Sequence, residues 1–140
     1  MTTPFAKALE QVDRAIEATY HSDPERYIAA WAHRPPVSLF GAFGPAKTTL
    51  SDVEAALRWV GARFADGAMS TDYEVVEVGK DLAYTVGFEH GELNVDGQRR
   101  SVRIRVTHIY RLEDGEWRLV HRHGDFAPAD TSPTAEGNGS

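Results

Sequence analysis

The stretch RVTHIYRLEDGEWRLVHRH, residues 105–123, decides the fold. Apolar and polar residues alternate on both sides of Asp114 and Gly115. A period of two marks strands with one buried face, and an Asp-Gly pair between two such runs marks a hairpin. Two registers are open. A two-residue turn pairs Leu112 with Trp117 and His108 with His121. A three-residue loop of Glu113, Asp114 and Gly115 pairs Leu112 with Glu116. It also sets Arg103 beside Asp125, Arg105 beside His123, Thr107 beside His121, Ile109 beside Leu119 and Arg111 beside Trp117. The longer loop is the expectation, because it supplies an ion pair at one end and a cation–π contact at the other. Val102, Ile104, Val106, His108 and Tyr110 then form a mostly apolar face with Val120 and Phe126, while Arg103, Arg105 and Thr107 face away.

The chain before this hairpin extends the sheet. Residues 73–78 and 82–90 read as strands separated by Gly79, Lys80 and Asp81, and Asp96-Gly97 turns the chain into 99–111. Tyr84, Val86 and Phe88 share one face and are expected to continue the cavity wall. Upstream the period changes. Phe5, Leu9, Val12, Ile16 and Tyr20 recur at helical spacing behind Thr3 and Pro4, a cap and a first-turn proline. A second short helix after Asp23 and Pro24 presents Tyr27, Ile28 and Trp31, and the prolines at 35 and 36 stop it. Residues 37–43 read as a strand closed by Gly44-Pro45. Ser51, Asp52, Val53 and Glu54 look like a capping box for a third helix with Val53, Ala56, Leu57, Val60 and Phe64 inside, ended by Asp66-Gly67. Trp31, Trp59 and Phe64 are expected in the core. Helices first and strands after predict an α+β fold: a curved antiparallel sheet packed against about three helices, a cone with an internal cavity. The domain spans 1–126; the Pro-, Ala-, Ser-, Thr- and Gly-rich residues 127–140 are expected to form a disordered tail.

Composition narrows the function. The 140 residues contain no cysteine, which removes disulfides, thiolate metal sites and thiol nucleophiles. A formal charge of −6 argues against general nucleic-acid binding. Seven arginines against three carboxylates in residues 99–122 make a local basic excess, read as polar strand positions with partners elsewhere. No apolar run suits a membrane span, and the first residues lack the basic flank and apolar core of a signal peptide, so a cytoplasmic protein is expected.

Chemistry-capable residues gather in the last hairpin. His108 and Tyr110 are polar groups on an apolar wall, one suited to carry a proton and the other to donate to a ligand oxygen. His121, His123 and Asp125 share a strand face, but no further ligands follow, so no metal and no cofactor is expected. Asp125 is the candidate carboxylate for general acid–base work. Burial should keep His108 neutral, since no acidic residue lies on the inner face of its own hairpin.

The helix–helix–strand–helix–sheet order, with RVTHIYR at 105–111 and DGEWRLVHRH at 114–123, resembles SnoaL-like domains of the nuclear transport factor 2-like (cystatin-like) superfamily. It is also similar to the association domain of calcium/calmodulin-dependent kinase. The resemblance covers about residues 4–126. It implies a conical pocket lined by Trp31, Tyr84, Val86, Phe88, Ile104, Val106 and Arg122, with His108, Tyr110 and Asp125 as catalytic candidates, and a homodimer through the outer sheet face. The catalytic sets of relatives do not transfer. The base aspartate of steroid isomerases falls in Val37-Ser38-Leu39-Phe40, their helix tyrosine near Ala15, and their protonated acid near His108 or Thr107. The kinase domain's pocket arginines fall near Val86, His108 and Gly124. Three functions follow: binding of a small apolar or aromatic ligand; isomerase, polyketide-cyclase or dehydratase chemistry; or a non-catalytic oligomerisation module.

Overall fold

A computed structural model describes residues 2–128. The tail expected after residue 126 lies outside the described residues from position 129 onward. Helix α1 (Pro4–Tyr20) begins where Thr3 Oγ1 accepts from the Ala6 amide at 3.1 Å, and Pro4 needs no partner for a missing N–H. Its buried stripe is Phe5, Val12, Ala15, Ile16, Thr19 and Tyr20. Helix α2 (Glu25–Ala29) is one short turn that buries Tyr27. Strands β1 (Ser38–Phe40) and β2 (Ala46–Lys47) pair across a turn that holds Gly44 at a φ of 116°.

Helix α3 (Leu50–Arg63) is capped by Thr49, not Ser51. The Thr49 hydroxyl accepts from the Asp52 amide at 3.2 Å, starting the helix earlier than the box at 51–54 suggests. Strand β3 (Phe64–Val78) follows without a loop. Asp66-Gly67 falls inside a β-bulge there and does not serve as a helix stop. Strands β4 (Leu82–Val95), β5 (Gln98–Glu113) and β6 (Glu116–Phe126) complete a sheet in the order β2-β1-β6-β5-β4-β3. All pairings are antiparallel except β1 with β6, which is parallel. The fold is α+β, a curved, unclosed sheet with three helices among the described residues.

Bulges in β3 and β6 sharpen the twist that wraps the sheet around the helices. Two glycines let Tyr20 of α1 press onto it. A Cβ at Gly67 would meet the Tyr20 Cβ at 2.8 Å, and one at Gly91 would meet its ring at 2.7 Å. Trp31 and Phe64 are in the core as expected, but Trp59 is 50% exposed, stacked under the Arg63 guanidinium at 4.5 Å.

The closing hairpin departs from the expected register. Asp114 and Gly115 both have positive φ, 51° and 80°, the geometry of a two-residue turn. Leu112 therefore pairs with Trp117, and Tyr110 with Leu119. A bulge then inserts Val120, so that Ile109 pairs with His121, His108 with Arg122, Thr107 with His123 and Arg105 with Asp125. The ion pair is thus Arg105–Asp125, bidentate at 2.8 and 2.7 Å, and not Arg103–Asp125. Arg103 instead stacks on Phe88 at 4.0 Å. Arg111 does not meet Trp117; it binds Glu113 at 2.6 Å and the Arg34 carbonyl at 2.6 Å. The bulge changes the phase of β6, and its effect reaches the interior: Leu119 and Arg122, three positions apart, both point into the cone.

Candidate ligand site

Val102, Ile104, Val106, His108 and Tyr110 are all buried on the inner side of β5. Their neighbours on β4 are the odd-numbered residues. Ala83, Thr85 and Glu89 are each no more than 2% exposed. Tyr84, Val86 and Phe88, expected on the cavity wall, stand on the outer face, and Tyr84 is 42% exposed. The cause is the pairing of β4 with β5, which places Tyr84 opposite outward Ile109 and Thr85 opposite inward His108. Asp125 also faces outward, half-exposed and bound to Arg105, which holds its carboxyl below the usual carboxylate range. That position takes Asp125 away from His108 and removes it from the interior site.

Four side chains from four elements meet at the floor of the cone. The guanidinium of Arg122 holds Glu89 with two bonds, Nη1 to Oε2 at 2.6 Å and Nη2 to Oε1 at 3.1 Å. Arg122 Nη1 also lies 3.3 Å from His108 Nε2, and the Tyr27 hydroxyl lies 2.7 Å from the same nitrogen. An arginine can only donate, so Nε2 is the acceptor and the ring proton sits on Nδ1. The Tyr27 O–H therefore donates to Nε2 as well. Burial, with Arg122 and then His121 adding repulsion, holds the His108 pKa well below its ordinary 6.5, so the ring is neutral. Burial pushes Tyr27 up to about 12. Burial, the largest single influence, lowers the Arg122 pKa, but Glu89 together with Tyr27 and Tyr20 raises it well above the ordinary value, so the guanidinium stays charged.

The cavity above this floor has a volume of about 60 Å³. Ile16, Leu39, Phe43, Leu57 and Ile104 make its apolar walls; Tyr20, Tyr27, Glu89 and Arg122 are its polar surface. Trp31 borders a different space, described below. Tyr110 is fully buried, its ring edge-on to Phe5 at 4.9 Å and its hydroxyl without a partner among the described residues. His121, bonded to Ser38 at 2.7 Å, and exposed His123 lie on the outer face beside Phe40. No metal-holding group of His, Asp and Glu occurs among the described residues.

Glu89 and Tyr27 are the functional candidates that sequence reading missed. Glu89 sits in an alternating run where its parity with Thr85 was available, but only the β4–β5 register says which parity is inward.

A model of the SnoaL-like domain matches residues 9–129. The chain belongs to the SnoaL-like domain family. None of the curated proteins matches this SnoaL-like chain significantly. Solved structures share its fold at low identity. A candidate dehydratase of the NTF2-like family from Streptomyces avermitilis is 18% identical with a TM-score of 0.76, over 90% of this chain and 95% of that one. A candidate calcium/calmodulin-dependent protein kinase type II association domain from Thiobacillus denitrificans is 21% identical with a TM-score of 0.73, over 91% and 98%. A candidate ketosteroid isomerase from Shewanella frigidimarina is 13% identical with a TM-score of 0.70, over 88% and 95%. At these identities the SnoaL-like chain shares an architecture with them, and their activities stay their own. No helix among its described residues is long and apolar enough to cross a membrane.

Proposed function

We propose that this SnoaL-like domain binds a small neutral molecule with an apolar body and one hydroxyl or carbonyl oxygen inside the cone. The observation that carries the reading is that Tyr27, Arg122 and Glu89 converge at the floor of a mainly apolar cavity, with His108 bonded behind them and not on the cavity surface. A buried ion pair is a poor device for stability, and a few convergent polar groups in an apolar pocket are the usual form of a ligand site. The three contacts of Arg122 use three of its five donors, which leaves N–H groups for a ligand oxygen. Glu89 already balances its charge, so a neutral oxygen suits the site better than an anion.

Names among the structural neighbours include an isomerase, a dehydratase and an aromatic ring hydroxylase. The depressed pKa of His108 makes it a weak base here, which favours hydrogen bonding over proton abstraction. Phenol followed by NMR is the test. The Tyr27 proton is committed to His108, so the phenol O–H donates to the Tyr27 oxygen; resonances of Tyr27 and His108 should shift, and Tyr27→Phe should weaken binding about tenfold by removing that acceptor. Phenol affinity equal in the wild-type and Tyr27→Phe chains refutes the reading.

We also infer a homodimer through the outer sheet face, where Phe40, Val75 and Tyr84 are each at least 40% exposed and lack helical cover. Light scattering that gives a monomer mass would overturn this. A cytoplasmic location belongs to the same proposal.

A further inference from the structure

The inner cavity is small. Beside it, between α2, the segment after it and α3, lies a second cavity of about 360 Å³, within the range of small-molecule pockets. Its walls are mainly apolar: Ile28, Trp31, Val37, Leu50, Val53 and Leu57. Leu57 also lines the inner cavity. The other partition is an aromatic pair, since Tyr27 borders the inner space, Trp31 the outer one, and their rings meet edge-on at 6.2 Å. The indole Nε1 of Trp31 is buried and has no hydrogen-bond partner among the described residues. An unpaired buried donor is costly, and the π face of an aromatic ring, a weak acceptor, would partly relieve it. Glu54 stands on the rim of the outer cavity, bound to Arg58 at 2.7 Å, and disfavours an anionic group there.

We propose that the α2–α3 cavity is the outer half of one ligand site, parted from the inner half by Leu57, and that the ligand is an elongated neutral molecule of two apolar rings with an oxygen at its inner end. This rests on the reading that the Tyr27–Arg122 floor binds a ligand oxygen. The inner end meets Tyr27 and Arg122, and the outer ring lies against Val53 and Trp31. Leu57 moves aside when the ligand seats.

The probes are phenol, with one ring, and 4-phenylphenol, with two, titrated into the whole chain by calorimetry. Ala29 is exposed and borders only the outer cavity, so Ala29→Trp fills that space without touching the core. It should weaken 4-phenylphenol about tenfold or more and leave phenol unchanged, as expected when a pocket no longer accepts a second ring. Leu57→Ala should strengthen 4-phenylphenol relative to phenol. The indole N–H resonance that disappears in Trp31→Phe should shift with 4-phenylphenol alone. If Ala29→Trp, folded by circular dichroism, binds 4-phenylphenol as tightly as the wild type, the outer half is not part of the site. If phenol still responds to Tyr27→Phe in that case, only this proposal fails. Binding of neither probe to the wild type refutes both readings.

Discussion

The Glu89–Arg122 pair gives the sharpest test of why polar groups occupy this core. Glu89 is 1% exposed and the Arg122 side chain 11%, and two hydrogen bonds join them. Arg122→Met removes the cation and leaves a carboxylate with no charge partner in a space walled by Ile16, Leu39 and Ile104. Breaking one side of such a pair costs about 3–5 kcal/mol. With a urea slope of about 2 kcal/mol per molar for a domain of this size, the midpoint falls by about 1.5–2.5 M. Removing both partners is a different experiment. In Glu89→Leu with Arg122→Met no charge is stranded, and the expected change is between about zero and a few kcal/mol of added stability. Urea unfolding of the wild type, both single variants and the double variant completes the cycle. The functional reading adds a second column: the double variant should be stable and should have lost phenol binding. A double variant no more stable than the worse single one would falsify the premise that these groups compensate each other. A stable double variant that still binds phenol would remove the ion pair from the site.

Other outcomes follow from the same structure. Because the His108 pKa is depressed in the fold, the unfolded chain takes up a proton that the native one refuses. The stability is full above the unfolded value of 6.5 and falls as pH drops below it, with a slope approaching about 1.4 kcal/mol per pH unit per proton. His121 contributes in the same direction, since burial and His123 lower it too. His108→Gln should flatten this pH dependence between 6.5 and lower pH, as measured by urea midpoints; an unchanged slope would show that His108 is not the titrating group. Gly87→Ala should loosen the β3–β4 pairing, because the added Cβ would run into the Asp72 carbonyl and lie 3.1 Å from the Tyr73 Cα. Backbone cannot yield like a side chain, so a cost of about 1–3 kcal/mol is expected, readable as a lowered melting temperature. Asp125→Asn breaks only a half-exposed pair, so stability should change by less than about 1 kcal/mol and phenol affinity should not change. A lost affinity there would put the site on the outer face.

The order of elements, the caps of α1, the hairpin at Asp114-Gly115 and the inward set Val102, Ile104, Val106, His108 and Tyr110 were all legible in the sequence. They depend on local periods and local turn chemistry, which a linear reading contains. Tertiary structure decided the rest. Sequence alternation says that Tyr84 and Thr85 face opposite ways, but not which of them faces the helices. That depends on pairing with β5 across the sheet. It is also why Glu89, on an adjacent strand, escaped an argument confined to the last hairpin. The extra residue at Val120 is a second case. Nothing in Leu119-Val120-His121 announces a bulge, since its cause is the simultaneous need to bury Leu119 beside Ala32 and Arg122 beside Glu89. A one-residue slip turns a whole strand face outward, so the register is chosen by whichever slip buries the better set, and that set comes from helices and strands distant in the chain. The family resemblance already put Arg122 in the pocket; that Glu89 meets it there was set by the fold.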